Sequence, residues 1–127
     1  SDPNIYKKQI KIVCDYVKDS SIKHIVFTSS SSVYPKDEKY YLPSDEFLPP
    51  DLRAKVLLEC EKMLLELKNI SVIIIRLGGI YGNDRKIKSS KNYRRLVQHD
   101  NALNYIKASI SRFGENDCIN GFMEMIL

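Results

Sequence analysis

No apolar run in this chain approaches the ~20 residues that a membrane-spanning helix needs; the longest are of the kind Val72 to Ile75. The N-terminus has no apolar stretch of the signal-peptide type either, so the expected location is the cytoplasm. Histidine is scarce. His24 and His99 stand far apart, away from the cysteines, and no C-x-x-C or H-x-x-x-H spacing occurs, which removes the usual metal signatures. Without a G-x-S-x-G sequence there is no nucleophile elbow for Ser-His-Asp chemistry. Cys14, Cys60 and Cys118 are an odd number at wide spacing, each among apolar residues of an expected helix. They read as free thiols that pack as small hydrophobes, not as a disulfide framework.

What remains is an ordinary globular composition. The 127 residues (14.7 kDa) are 43% hydrophobic and 28% charged, enough to bury one core but not two. The net charge of +4 is local: Arg85, Lys86, Lys88, Lys91, Arg94 and Arg95 form a block without an acid, and the other 14 basic residues face 16 acidic ones. Tyr93 is the only aromatic within that block, so a solvated basic face explains it and a nucleic-acid partner is not expected.

Asp2-Pro3 is a helix start, since aspartate caps free amides and proline is preorganised at the first helical position. Tyr6, Ile10, Val13 and Val17 then recur on one face of a helix predicted to end near Ser20. Ile22 to Phe27 has the β-branched and aromatic content of a short strand. It runs into Thr28-Ser29-Ser30-Ser31-Ser32, expected as a polar loop, and then into an irregular connection punctuated by Pro35, Pro43, Pro49 and Pro50. A second helix is expected from Asp51. Its stripe of Leu52, Val56, Leu57, Cys60, Met63, Leu64 and Leu67 is wider than one sheet face requires, so it is expected to pack on two sides. Ser71 to Leu77 holds Val72-Ile73-Ile74-Ile75 without alternation, the pattern of a parallel strand buried on both faces, and Gly78, Gly79 and Gly82 end it. Beyond it the expectations are a basic, partly helical stretch over Lys88 to Gln98, an extended segment near Leu103 to Ile106, and a last helix from about Asn116 to Leu127. This alternation belongs to right-handed parallel crossovers. The expected class is α/β, a partial doubly wound parallel sheet (Rossmann-like) flanked by helices, in one domain over residues 1–127.

Three segments in this order and spacing carry a family resemblance: Ile25-Val26-Phe27-Thr28-Ser29-Ser30-Ser31-Ser32-Val33-Tyr34, Pro50-Asp51-Leu52-Arg53-Ala54-Lys55, and Arg76-Leu77-Gly78-Gly79-Ile80-Tyr81-Gly82. Over most of residues 5 to 85 the chain resembles the extended short-chain dehydrogenase/reductase family, the NAD(P)-dependent sugar epimerases and dehydratases. Arg112-Phe113-Gly114-Glu115-Asn116-Asp117 resembles that family's motif before a late helix, with Gly114 at a position usually held by histidine. The resemblance implies NAD or NADP as cofactor and a sugar nucleotide or similar small molecule as substrate. It also implies a glycine-rich turn whose amides hold the dinucleotide pyrophosphate. All five glycines lie from Gly78 onward and none forms such a turn. The chain therefore resembles the middle of such an enzyme, without its front half or its C-terminal substrate lobe.

In that family a serine or threonine holds the substrate hydroxyl, a tyrosine is the general acid/base, and a lysine four residues later binds the ribose and lowers the tyrosine pKa. A phenol near pKa ~10 works at neutral pH only beside a cation. Ser30 matches the serine and Lys55 the lysine, while the tyrosine position is Asp51, and no tyrosine in the chain lies four residues before a lysine. An ordinary aspartate, pKa ~3.9, is ionised at pH 7 and donates protons poorly. Each of these residues has a plainer alternative: Ser30 a turn serine bonding its own backbone, Lys55 a solvated helix lysine, Asp51 a helix cap. The resemblance further implies that Ser29, Lys55, Leu77, Gly78, Gly79 and Ile80 meet the cofactor and that Ser31, Ser32 and Arg85 meet the substrate; from the histidine and cysteine spacing no metal is expected. Two function classes follow. One is an NAD(P)-dependent epimerase/dehydratase-like oxidoreductase, inactive as this chain alone. The other is a non-catalytic nucleotide-binding or assembly module derived from that family. The resemblance also implies a homodimer through the helices near 3–19 and 51–67, expected to bury Leu57 and Leu64.

Overall fold

The computed structural model describes residues 2–37, 39–81, 94–110, 116–121 and 123–125. Helix α1 (Pro3–Lys18) starts where its sequence directs: Asp2 Oδ1 accepts from the Asn4 N–H at 2.9 Å, and Pro3 occupies the first turn. It ends two residues short of Ser20, whose N–H and hydroxyl both donate to the Val17 carbonyl. Strand β1 (His24–Ser30) follows, so the strand runs through Thr28 and Ser29 to Ser30 where a loop is expected from the hydroxyl content. The reason is parallel pairing: β1 and β2 (Ser71–Leu77) stay in register from His24 opposite Ser71 to Ser30 opposite Leu77. A 3-10 turn, Ser31–Val33, ends the run, and α2 (Leu52–Leu65) begins after the proline-rich connection.

Strands β3 (Gly79–Tyr81) and β4 (Arg94–Gln98), helix α3 (His99–Ile110), and strands β5 (Asp117–Gly121) and β6 (Met123–Met125) complete the order. Three expectations are corrected here. The segment near Leu103 to Ile106 is helical, because Ala102, Tyr105 and Ile106 at helical spacing close on the sheet. Residues from Asn116 onward form β5 and β6 instead of a helix, and Cys118 sits on a strand, because β5 pairs in parallel with β2 from Ile73–Asp117 to Leu77–Gly121. The described end of the basic stretch is β4, which pairs with β3 in parallel and with β6 antiparallel. Gly82, Arg85, Lys86, Lys88, Lys91, Tyr93 and the motif residues Arg112 to Glu115 lie outside the described residues.

The main sheet is parallel, in the order β1-β2-β5, with helices on both faces, a Rossmann-like α/β arrangement. Central strand β2 shows why its sequence does not alternate. Val72 and Ile74 pack with Cys14, Val17, Leu64 and Leu67 of the α1/α2 layer, while Ile73 and Ile75 pack with Ala102 and Tyr105 of the α3 layer. Each such side chain contributes roughly 1.5–3 kcal/mol on burial. Gly121 is a close approach: a Cβ there would stand 2.8 Å from Leu77 Cδ2 and 2.9 Å from Ile75 Cγ2. Helix α2 packs on two sides, as its wide stripe predicts: Leu64 enters the α1/sheet core, while Leu57 and Leu58 cover Val33 and Tyr34. Leu64 is thus enclosed by its own chain, which corrects its assignment to a dimer face. The exposed apolar side chains of this layer are Ile5, Tyr6, Ile12, Val13 and Tyr16 on α1 and Leu52 on α2. No helix among the described residues is long and apolar enough to cross a membrane.

Candidate functional site

Two groups of polar residues meet at the C-terminal end of β1, and they differ in where their hydrogen bonds go. The first is closed. Ser29, 6% exposed, donates its hydroxyl to Glu61 Oε2 at 2.7 Å. Glu61, 3% exposed on α2, also receives Arg76 of β2 bidentately, Nε to Oε2 at 3.1 Å and Nη2 to Oε1 at 2.7 Å. Arg76 Nη1 donates to Tyr34 Oη at 2.9 Å, Tyr34 Oη donates to Asn120 Oδ1 at 2.6 Å, and Asn120 Nδ2 donates to the Tyr41 carbonyl at 2.6 Å. Tyr34 stacks on Tyr41 with centroids 5.4 Å apart, and the guanidinium lies 5.2 Å from the Tyr34 ring centroid.

This network sets the local electrostatics. Burial pulls the Arg76 guanidinium down, but its hydrogen bonds and charge pairing with Glu61 outweigh that and hold it above its ordinary value. Burial likewise raises the Tyr34 phenol, against the lowering effect of the hydrogen bond and charge of Arg76. Both therefore keep their protons, and each hydrogen bond in the chain has a fixed donor. Sequence reasoning passed over Glu61 and quoted Arg76 only as the first residue of the third motif. The available signal was an arginine directly after Val72-Ile73-Ile74-Ile75 in a strand expected to be buried on both faces, since such a cation requires a buried acid.

The second group is open. A cleft of about 290 Å³ lies between the starts of α1 and α2 and the end of β1, lined by Asp2 and Tyr6, by Arg53, Val56 and Leu57, and by Ser30 and Ser32. Ser30 caps the 3-10 turn, its Oγ accepting from the Ser32 N–H at 3.1 Å, and the two hydroxyls are 2.8 Å apart. The turn alternative and the cleft position thus coincide in one residue.

The other predicted residues divide. Asp51 caps α2, with Oδ1 accepting from the Ala54 N–H at 2.9 Å and Oδ2 lying 3.6 Å from Lys36 Nζ. Lys55 is exposed on α2 and is not among the residues lining the cleft; its charge acts on Glu59, which Lys7 of α1 engages. The Glu59 carboxyl is held below its ordinary value, chiefly by the Lys7 hydrogen bond. Ser31 is buried in the 3-10 turn. Leu77 ends β2, the buried Gly78 donates its N–H to the Gly121 carbonyl at 3.2 Å, and the exposed Gly79 opens β3, which contains Ile80. The structure thus gathers Ser30 and Ser32 in the cleft, diverts Ser29 into the closed network, and leaves Lys55 outside the cleft lining. Arg53, quoted only within the second motif, and Tyr6, expected on the apolar face of the first helix, join the cleft without an expected site role. Among the described residues no cluster of histidine, cysteine, aspartate or glutamate is placed to hold a metal, and the described cysteines are free.

No protein-family model matches the chain, and no curated protein matches it in sequence. Solved structures do match in fold. The UDP-N-acetylglucosamine 4-epimerase of Bacillus cereus is similar at 18% identity with a TM-score of 0.76, over 92% of this chain and 50% of that one. MoeE5 in complex with UDP-glucuronic acid and NAD is similar at 16% identity and TM-score 0.77, over 91% and 48%. A double mutant of the dTDP-glucose 4,6-dehydratase DesIV of Streptomyces venezuelae, with NAD bound, is similar at 17% identity and TM-score 0.74, over 91% and 44%. The chain spans about half the length of these structures.

Proposed function

We propose that this chain is the central part of an NAD(P)-dependent epimerase/dehydratase-like oxidoreductase acting on a sugar nucleotide, and that the chain alone is inactive. The observation that carries the proposal is the hydroxyl-lined cleft outside the carboxyl end of parallel strand β1, the place where open α/β sheets take their ligands. The fold neighbours that hold NAD and nucleotide sugars support it. Ser30 then holds a substrate hydroxyl, Lys55 meets the cofactor ribose, and the backbone of residues 77–80 runs beside the nicotinamide.

NAD or NADP would supply hydride transfer. The chain's residues fit only one end of it: Gly78 and Gly79 leave no side chain in the way at the end of β2, whereas no glycine precedes Gly78 to form a phosphate-binding turn. NADH is therefore expected to bind the 127-residue chain no better than millimolar; micromolar binding by calorimetry would show that the missing turn is not what limits affinity. The decisive experiment is to express the whole open reading frame that contains these residues and assay it with UDP-sugars and NAD. Turnover that falls at least tenfold in Lys55→Ala supports the proposal, and absence of both NAD binding and turnover overturns it.

A non-catalytic module is the second possibility, and one observation favours it: the carboxylate at the phenol position is engaged by the Ala54 N–H and lies near Lys36. Asp51→Tyr in the whole reading frame separates the two. It recreates the tyrosine-to-lysine spacing, so a gain in turnover places Asp51 in an active site, and no gain favours the module.

A further inference from the structure

On the side of the sheet that faces α1 and α2, strands β1 and β2 run in matched pairs: Ile25 beside Val72, Phe27 beside Ile74, then Ser29 beside Arg76. The first two pairs belong to the apolar core. The third is polar although it is no less buried, with Ser29 and Arg76 each 6% exposed. Core packing would be served by continuing the apolar series, since apolar residues of similar volume often stabilise as well as a buried ion pair or better. What the polar pair adds is direction. Both side chains end on one carboxylate: Glu61 Oε2 accepts from the Ser29 hydroxyl at 2.7 Å and from Arg76 Nε at 3.1 Å, and Oε1 accepts from Arg76 Nη2 at 2.7 Å. Bonds to a charged group are the strong kind, and the bidentate fork fixes orientation as well as distance.

Glu61 thereby ties two neighbouring strands to each other and to α2, one residue before each strand ends. The residue after Ser29 is Ser30, on the cleft wall, and the residue after Arg76 is Leu77, followed by Gly78, whose N–H donates to the Gly121 carbonyl. On its other side the guanidinium is held by Tyr34 Oη at 2.9 Å. At about 3.3 Å per strand residue, a displacement of Ser29 or Arg76 passes to its successor almost undiminished. We propose that Glu61 is a positioning residue, whose single carboxylate sets the distance between Ser30 at the end of β1 and the Leu77–Gly79 backbone at the end of β2. This rests on the oxidoreductase function proposed above, in which Ser30 holds the substrate and residues 77–80 run beside the nicotinamide, and adds the group that spaces the two. Glu61 itself is 3% exposed and is not among the residues lining the cleft, so it acts only through its neighbours. Hydride transfer is sensitive to such spacing, since a misplacement of about 1 Å can cost about 100-fold in rate.

The test separates position from stability. Glu61→Leu with Arg76→Met replaces the pair by apolar side chains and should unfold near the wild-type midpoint. In the whole reading frame, assayed with UDP-sugars and NAD, this double variant should lower kcat by about tenfold or more while changing KM by less than about threefold. In the 127-residue chain it should speed hydrogen exchange of the Gly78 amide about tenfold and shift the Ser32 amide, which bonds Ser30, while the Ile73 amide in the middle of β2 keeps its protection. Ser29→Ala cuts only the hold on β1. It should move the Ser32 amide without moving that of Gly78 and lower kcat, and Ser29→Thr, which keeps the hydroxyl, should restore both readings. A folded double variant with wild-type kcat and wild-type amides overturns the proposal, because a merely structural pair would behave that way. If the double variant does not fold, Ser29→Ala decides: an unchanged kcat and Ser32 amide overturn the proposal. The two proposals fail separately. A wild-type reading frame that neither binds NAD nor turns over removes the oxidoreductase, and the Gly78 and Ser32 amides then decide on Glu61, overturning its role if they do not move. Turnover that survives these substitutions at full kcat removes only the positioning role.

Discussion

Ser29 and Ser32 are three residues apart in one serine run, and the structure treats them as different materials. Ser29 faces Glu61, and its hydroxyl is bound into a chain of donors and acceptors that continues through Arg76, Tyr34 and Asn120. Ser32 is exposed, bonds its neighbour Ser30, and lines a cleft that also holds Arg53. In the closed region every polar group on this path is matched by another from a different element, so β1, α2, β2 and β5 are locked together. In the open region Ser30 and Ser32 bond each other on the wall of the cleft, where a ligand can reach them. Closed polar networks give rigidity; open ones leave room for a ligand.

The contrast is most exposed to test at Glu61. Removing one partner of a buried ion pair leaves the other charge uncompensated, so Glu61→Ala should cost about 3–5 kcal/mol in urea unfolding. Replacing both partners, Glu61→Leu with Arg76→Met, should recover most of that loss, because desolvation of the pair offsets much of its attraction. A Glu61→Ala cost below about 1 kcal/mol would mean that the network carries no more weight than a surface pair.

Alkali probes the same region from another side. Burial pushes the Cys118 thiol from 9.0 up to about 11, with Arg76 acting against the shift. The folded state therefore holds this proton more tightly than the unfolded chain does. The resulting stability is complete below pH 9 and is lost as pH rises toward 11, at most about 2–3 kcal/mol. Burial raises the Cys14, Cys60 and Tyr34 groups in the same direction. Urea midpoints measured from pH 8 to 11 should fall, and Cys118→Ala should flatten the slope.

Ser29→Ala comes next in size. It deletes a buried hydrogen bond to a charged carboxylate, expected to cost about 2 kcal/mol. Asp51→Ala should cost about 1 kcal/mol, the usual value of a lost helix N-cap, with Asp51→Asn close to the wild type. A cost for Asp51→Ala near zero would mean that the Ala54 N–H finds another acceptor and that the cap does not explain why an aspartate stands there.

Legibility of this molecule followed how local each decision was. The starts of α1 and α2 were written in single residues, Asp2 with Pro3 and Asp51, and the β-branched run of β2 was long enough to identify itself. β5 was not, since Asp117-Cys118-Ile119-Asn120-Gly121 carries no period of its own and becomes a strand by pairing with residues 44 positions earlier, as in Ile73 with Asp117. Leu103, the residue that suggested an extended segment, is on the exposed side of α3, while the informative positions Ala102, Tyr105 and Ile106 make only a short stripe. At the site, the serine run marked the right end of β1 but could not show that Ser29 turns inward and Ser32 outward. That outcome depends on Glu61, thirty-two residues after Ser29. Arg53 was visible only as part of a motif, because its place beside Ser30 is set by how α2 crosses the end of the sheet.

Ser32→Ala is the smallest expected effect and the sharpest against Ser29→Ala. The substitution removes one exposed hydroxyl whose partner is Ser30, and the Ser32 N–H keeps its bond to Ser30 Oγ, so unfolding stability should change by no more than about 0.5 kcal/mol. With the Ser32 hydroxyl gone, the hydroxyl pair is broken and Ser30 alone presents a hydroxyl hydrogen to the cleft. If the cleft binds a sugar, its affinity should therefore weaken by a few-fold and not vanish, a loss that Ser29→Ala does not share once its lower stability is allowed for. Unfolding and amide-shift titrations on the same two proteins provide the check. If Ser32→Ala costs as much stability as Ser29→Ala, the serine run is one structural unit and the division into closed and open regions is wrong. If both leave sugar affinity unchanged, the cleft hydroxyls meet no ligand.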